Sequence, residues 1–339
     1  MQLNILPETT TPPNLDPTAN CSLSDARSGT ELARHRLFTS LDRDLIERFQ
    51  IIAPARFEGL FLTDRPKILW CQDLADDPAL QRLREPQFAS QFEIVCVSHW
   101  QRQGFFRTFP HLKASQVTVI PNAIEPFGMP IPDKPLVEGR WQIAYTSTPH
   151  RGLSVLCAAV NALAQTRDDF DVHIFSSFDI YGQAWANATK SFEDIFAFCR
   201  THPRIVYHGT QPNAVVRAAL LKTHIFAYPS IYTETSCMAA IEAGAAGCHI
   251  LTTGLGALSE TVGAWANYLP TIPHTYQQDE LERLAADTYH WLNGMLTACR
   301  EMPQLFQTRQ QAQAAYFNSS YSWTQRLHEW TQYLQKRIV

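Results

Sequence analysis

The sequence predicts an α/β protein of two domains, each a parallel sheet covered by helices, and three observations carry that expectation. Short β-type runs alternate with helical patterns along nearly the whole chain. At 339 residues the chain exceeds the size at which a single core usually keeps growing. A tract from Pro121 to Pro135, with five prolines in 15 residues, excludes regular structure, and the alternation restarts after it. With 45% hydrophobic and 18% charged residues, there is apolar material for two cores.

In the first half the expected strands are Leu3 to Leu6, Gln50 to Ala53, Lys67 to Cys71, Glu93 to Val97 and Gln116 to Ile120. Helical patterns lie at Glu31 to Ser40, Pro78 to Arg84 and Trp100 to Phe109. Residues Pro7 to Ser28 read as a long loop that ends where Gly29-Thr30-Glu31 starts a helix, a plausible setting for an acceptor or phosphate. In the second half strands are expected at Trp141 to Thr146, Asp171 to Phe175, Ile205 to His208, Ile225 to Tyr228 and His249 to Thr252. Helices are expected at Gly152 to Thr166, Phe192 to Arg200, Ala214 to Lys222 and Ser236 to Ala245. A last helix opens on Ser322 as its cap, with Trp323, Leu327, Trp330 and Leu334 on one face that must dock on something. The boundaries drawn are residues 1–128, 138–318 and a closing helix over 319–339.

Composition narrows the function. A formal net charge of −4 argues against a chain built to grip a polyanion. The eight cysteines, Cys21, Cys71, Cys96, Cys157, Cys199, Cys237, Cys248 and Cys299, form no C-x-x-C pair, which removes the usual zinc and redox signatures. They fit a reducing cytoplasm. The N-terminus lacks the basic and apolar regions of a signal peptide, and no window approaches the roughly 20 apolar residues of a membrane helix.

Chemistry concentrates in Tyr228-Pro-Ser-Ile-Tyr-Thr-Glu234-Thr-Ser-Cys-Met-Ala-Ala-Ile-Glu242-Ala-Gly-Ala-Ala-Gly247. A strand ends at Tyr228, Glu234 precedes a helix, and Glu242 is expected about two turns into it, roughly 12 Å along the axis. Free N–H groups at Thr235, Ser236 and Cys237, aided by the helix dipole, would form a diphosphate site. Carboxylates flanking an anion make poor partners for the anion itself. They make good acceptors for hydroxyls of a sugar and a ribose.

This segment resembles the E-x7-E signature of the large retaining glycosyltransferase family, group 1 or family 4-like, that includes bacterial sucrose-phosphate, glycogen and phosphoinositol mannosyl enzymes. The resemblance implies a GT-B fold, with two Rossmann-like domains facing across a cleft and a C-terminal helix packing back toward the first. It also implies that Glu234 lies at the donor sugar and Glu242 at the ribose hydroxyls. Ser147-Thr-Pro-His-Arg151-Gly152-Leu153 resembles the basic-Gly turn that meets the donor diphosphate, where Arg151 can act bidentately. The family often has Gly-Arg-Leu earlier in that loop, and Tyr145-Thr146-Ser147 stands here instead.

Ile205-Val-Tyr-His208-Gly209-Thr210 resembles the strand and turn near the nucleotide base, so His208 reads either as a donor contact or as a packed structural histidine. Gly254-Leu-Gly256-Ala-Leu-Ser-Glu260 resembles the family's Gly-x-Gly turn, with Glu260 bracing the loop. In the first half, Gly29-Thr30 resembles the glycine turn that meets the donor phosphates from the opposite domain, and equally reads as a plain helix start. Gln72 stands where many relatives have a His beside the reacting sugar. His99 is a candidate for the acceptor or for structure.

The function implied is transfer of a sugar from a nucleoside-diphosphate sugar, UDP- or GDP-linked, with retention and without a metal, an EC 2.4 hexosyltransferase activity. The donor is a co-substrate and no tightly bound cofactor is expected. The acceptor is a small molecule, glycan or protein, with nucleic acid disfavoured by charge. Competing readings are a catalytically degenerate scaffold of the same fold, a DNA-modifying transferase, and a metal-dependent GT-A enzyme using Asp42-Arg-Asp44. A Rossmann oxidoreductase is weaker, because no G-x-G-x-x-G follows the first strand.

Overall fold

The computed structural model describes residues 28–53, 57, 60–181 and 186–338. The expected strand Leu3 to Leu6, the loop from Pro7 up to residue 27, and Cys21 lie outside the described residues. Two parallel sheets organise the rest. The first has four strands, β1 (Gln50–Ile52), β2 (Lys67–Cys71), β3 (Phe92–Cys96) and β4 (Val117–Val119), in that spatial order. The second has six: β5 (Trp141–Tyr145), β6 (Phe170–Ile174), β7 (Ile205–Tyr207), β8 (Ile225–Tyr228), β9 (His249–Thr252) and β10 (Ala266–Tyr268). Their spatial order is β10-β9-β8-β5-β6-β7. Numbered within the domain this is 3-2-1-4-5-6 read from the β7 edge, the order of doubly wound Rossmann folds.

The helices in chain order are α1 (Gly29–Ser40), α2 (Arg43–Ile46), α3 (Pro86–Ala89), α4 (His99–Thr108), α5 (Leu153–Leu163), α6 (Ala186–Lys190) and α7 (Glu193–Thr201). They continue with α8 (Asn213–Leu220), α9 (Met238–Ala245), α10 (Leu258–Val262), α11 (Gln278–Glu301), α12 (Pro303–Ser320) and α13 (Trp323–Gln335). Pro78–Arg84, expected as a helix, is a 3-10 turn.

Strand β2 reads Lys-Ile-Leu-Trp-Cys, almost wholly apolar, because both faces of its sheet are covered. Ile68 and Trp70 face one core with Val95, while Leu69 and Cys71 face a second with Ile94 and Cys96. The first of these cores is completed by α13, whose Trp323, Trp330 and Leu334 pack against α1 and the sheet. The Trp330 ring meets Trp70 edge-on at 5.3 Å, and Arg337 pairs with Glu93 at 2.9 Å. Ser322 caps α13 by accepting from the Gln325 N–H at 3.2 Å. The expected apolar face on this last helix thus has its partner in the first domain.

The proline-rich linker, irregular as expected, is nevertheless pinned. Phe127 and Ile131 lie in the core of the second domain. The Phe127 N–H donates to Asn318 Oδ1 at 2.6 Å, and the Gln311 amide bonds both backbone groups of Ile131.

Candidate functional site

Strands β5 and β8 lie side by side although the chain runs from β5 to β6 and β7 before returning. That makes the space beyond their carboxyl ends the topological switch point, where open α/β sheets bind ligands. The two loops leaving it are 146–152 and 229–237. Gly152 holds them together: its φ is +121°, and a Cβ there would stand 2.2 Å from the Pro229 carbonyl oxygen. A side chain at 152 would force the loops apart.

This close approach brings Arg151 to Glu234. Arg151 Nη1 donates to Glu234 Oε1 at 2.8 Å, and the Tyr228 hydroxyl donates to the same oxygen at 2.5 Å. The Glu234 carboxylate is buried, and Arg151 lies over the Tyr232 ring at 4.1 Å. Burial opposes the Arg151 charge, and Glu234 together with Tyr181, Tyr228 and Tyr232 more than offsets it, so the guanidinium is pushed above its usual range. Burial pushes the Tyr228 hydroxyl up as well, with Glu234 adding to it, so Tyr228 is a hydrogen-bond donor here and not a base. His150, stacked on Phe178 at 5.2 Å, is lowered to about 3 by burial and by Arg151, and stays neutral. The backbone of Glu234 is fixed by the turn after β9. Gly256, at φ +65°, lies so close that a Cβ would stand 2.4 Å from the Glu234 carbonyl oxygen, and the Ala257 N–H donates to that oxygen at 2.7 Å.

Helix α9 starts at Met238 with Cys237 as its cap, two residues later than the sequence suggested. Thr235 and Ser236 therefore belong to the preceding turn, and the first-turn amides without a helix carbonyl run from Cys237 to Ala240, those of Ala239 and Ala240 facing the Cys237 sulfur. Glu242 consequently sits about one turn into the helix, roughly 6 Å from its start, and not two. Cys237 is buried, and burial together with Glu234 raises its thiol, which makes it inert. The carboxyl end of α9 is closed by side-chain amides from α12. Asn318 donates to the Ala245 carbonyl at 2.8 Å, and Gln313 to the Cys248 carbonyl at 2.7 Å. Gly244 makes room for Phe317, since a Cβ there would stand 2.6 Å from that ring.

The opposite domain meets the same helix start. A Cβ on Gly29, the first residue of α1, would stand 2.1 Å from Met238 Cε, so the first residues of α1 and α9 lie against one another. The Thr235 hydroxyl donates across to the Gln72 carbonyl at 2.6 Å. The Gln72 side chain makes a reciprocal amide pair with Asn122, both bonds at 3.1 Å. Glu260 also crosses, accepting from the His99 and Trp100 N–H groups at 2.7 and 2.8 Å and so capping α4. It braces the other domain, where the sequence suggested a brace for its own loop.

The sequence-marked residues therefore split into groups. Arg151, Glu234, Thr235, Cys237, Gly29 and Gln72 converge on one region of the cleft. Glu242 lies further along α9 and bonds residues of α8 instead of the Arg151 cluster. His208 and Gly209 lie at the end of β7, two strands from β5 or about 10 Å away. His208 is bonded to His173 at 2.9 Å and stacked on Phe175 at 4.2 Å, the packed reading of that residue, and burial lowers its pKa. Asp42 caps α2, accepting from the Leu45 N–H at 2.8 Å, which gives the acidic triplet a local structural role. Among the described residues no three His, Cys, Asp or Glu side chains are grouped to hold a metal, and no helix is long and apolar enough to cross a membrane.

Tyr228, Tyr232, Asn213 and Arg217 were not singled out by sequence. A tyrosine at a fully buried strand end needs a partner for its hydroxyl, and that signal was present in Tyr228.

Comparison with known proteins bears on the fold and on the family this chain resembles. Residues 142–287 match the family model of Glycosyl transferases group 1. One subunit of human phosphatidylinositol N-acetylglucosaminyltransferase is 27% identical over 171 residues, 50% of this chain and 33% of that protein. The chain thus spans about a third of the length of that curated relative. Among solved structures, HepE of Anabaena with UDP and glucose superimposes with a TM-score of 0.59 at 16% identity, covering 80% of this chain and 72% of that one. A glycosyltransferase of Rickettsia africae gives 0.57 at 13% identity, covering 81% and 71%. Sucrose-phosphate synthase of Thermosynechococcus elongatus gives 0.56 at 16% identity, covering 81% and 68%. The fold is that of GT-B glycosyltransferases, two Rossmann-like domains with the last helix returned to the first.

Proposed function

We propose that the chain is a glycosyltransferase that takes a sugar from a nucleoside-diphosphate donor, held mainly by residues 140–262, and passes it to an acceptor entering from the first domain. The observation that carries this reading is the Arg151–Glu234 pair at the switch point, in the turn before the N-terminus of α9, whose first residue lies against that of α1. Structural neighbours in complex with UDP and with UDP-glucose favour a UDP-linked donor.

Arg151 and Glu234 neutralise each other in their ion pair. A donor diphosphate arriving at the α9 N-terminus draws on the Arg151 guanidinium and on the amides from Cys237 to Ala240, which stabilise charge growing on the leaving group. Glu234, oriented by Tyr228, accepts from sugar hydroxyls. Glu242 accepts from the ribose. Gln72, aligned by Asn122, donates or accepts beside the bond that breaks. Retention follows if the leaving phosphate takes the proton of the incoming hydroxyl on the same face, so no protein nucleophile and no metal is used. Glu260 and Thr235 carry contacts that hold the domains closed over the reacting centre and exclude water.

The test is a thermal-shift screen against UDP-, GDP-, ADP- and TDP-sugars, followed by donor hydrolysis. A specific donor at 100 times its Kd stabilises the fold by about 2.7 kcal/mol. The expected result is a shift with one nucleotide, lost in Glu242→Ala, and turnover depressed in Arg151→Ala. No shift with any donor would favour the degenerate scaffold.

A further inference from the structure

Glu242 is held from a helix that carries none of the motif. Asn213, the first residue of α8, donates from Nδ2 to both carboxylate oxygens at 3.1 and 3.2 Å. One turn later Arg217 donates from Nη1 to Glu242 Oε1 at 3.1 Å. Its Nη2 donates to the Glu125 carbonyl at 2.7 Å, and its guanidinium lies 3.8 Å from the centre of the Phe127 ring. Glu125 and Phe127 belong to the linker between the domains. The Glu125 carboxylate in turn pairs with Arg36 on α1 at 2.7 Å, and the Ile124 N–H donates to the Tyr321 carbonyl just before α13.

A guanidinium is a rigid fork with donors in fixed directions. Because one arm of Arg217 is spent on the linker and the other on Glu242, the carboxylate and the linker are aligned by a single planar group. We infer that Arg217 is a positioning residue, fixing the Glu242 carboxylate against the interdomain linker so that the ribose end of the donor is fully gripped only when the linker is seated. The inference rests on the reading of Glu242 as the ribose acceptor. It extends that reading to a residue outside the motif, and links donor grip to the arrangement of the domains.

The electrostatics agree. Burial pushes the Glu242 carboxyl above its usual range, while Arg217 and the Asn213 amide pull it back. Arg217 is the charged side chain that acts on it among the described residues. Removing that cation leaves a desolvated carboxylate that protonates more readily and accepts hydroxyls less well.

The experiment is titration calorimetry of the full chain with UDP, GDP, ADP and TDP between pH 5 and 8, on the natural chain, Arg217→Ala, Arg217→Lys and Glu242→Gln. With whichever diphosphate binds, Arg217→Ala is expected to weaken affinity about ten-fold. It should also move the acid limb of the binding profile up by about one pH unit. Arg217→Lys restores the limb, since it restores the charge. It does not restore full affinity, because one ammonium cannot replace the fork. Glu242→Gln leaves only the limb of the ligand's terminal phosphate, which titrates at about pH 6. If Glu242→Gln binds as the natural chain does, or if none of the four diphosphates binds, the ribose reading falls and this inference with it. If Glu242→Gln is impaired while Arg217→Ala keeps both affinity and limb, the ribose reading stands and the positioning role is overturned. Should Arg217→Ala fail to fold by circular dichroism, Arg217→Lys decides, and full affinity in that variant overturns the role.

Discussion

Substituting alanine for Gly152 separates two effects that usually arrive together. At φ +121° the residue occupies backbone space that side-chain-bearing residues rarely adopt, and forcing alanine there costs about 1–3 kcal/mol. Its Cβ would also stand 2.2 Å from the Pro229 oxygen and 3.1 Å from the Pro229 carbonyl carbon. Both obstacles are backbone, so the clash is relieved by moving the two loops apart, at a further cost of about 1–3 kcal/mol. Gly139 is the internal control. It too has positive φ, at +77°, yet a Cβ there meets nothing within 4 Å. Gly139→Ala carries the backbone term alone, about 1–2 kcal/mol. Scanning calorimetry of the two variants should place the Tm of Gly152→Ala about 2–12 °C below that of Gly139→Ala, at 2–4 °C per kcal/mol for a domain of this size. Since the displaced loops carry Arg151 and Glu234, Gly152→Ala should also lose donor binding while Gly139→Ala keeps it. Equal melting temperatures with intact donor binding would refute the argument that close approach at Gly152 assembles the site.

Three other outcomes are expected. Trp330→Ala empties a fully buried ring position against Trp70 and should cost about 3–5 kcal/mol in urea unfolding, with α13 released as an increase in radius of gyration by solution scattering. Glu260→Ala removes a charged cap from the N-terminus of α4, worth about 1 kcal/mol; scattering should show a more open pair of domains, and an unchanged profile would remove its bracing role. Burial holds His224 at about 4 and His249 at about 3, well below the ordinary histidine value, with Lys134 nearby adding to the shift of His249. Their stabilisation is complete above the unfolded pKa of about 6.5 and is lost as pH falls toward the folded values, so these two together should lower the unfolding free energy by about 3–4 kcal/mol between pH 7 and pH 5, and His150, also held at about 3, by about 2 kcal/mol more. His249→Gln should remove about 2 kcal/mol of the total drop, roughly a third, in urea titrations at the two pH values.

Much of the strand framework was legible because buried parallel strands leave continuous apolar runs. Lys67 to Cys71, Ile225 to Tyr228 and His249 to Thr252 have the boundaries read from sequence. Strand β10 and helices α11 and α12 were not read. For α11 the signal existed, since Leu281, Leu284, Thr288, Leu292, Met295 and Cys299 recur on one buried face. For α12 it did not, because its buried face includes the polar Gln310, Gln313 and Asn318; Gln313 and Asn318 cap carbonyls, and Asn318 also holds the linker, instead of filling an apolar core.

At the site, the sequence by itself determined which chemical groups are present. The carboxylates eight residues apart, the Arg-Gly turn and the glycine after a loop are local patterns, and local patterns survive in one dimension. Only the tertiary structure decided which of these groups meet. The return of β8 beside β5 pairs Arg151 with Glu234, although 83 residues separate them. The approach of α8 gives Glu242 to Arg217, and the crossing of Glu260 to α4 ties one domain to the other. The physical reason is that hydrogen bonds and ion pairs form over about 3 Å in space. Contacts between residues tens to hundreds of positions apart are set by strand order and helix packing, which no short stretch of sequence contains.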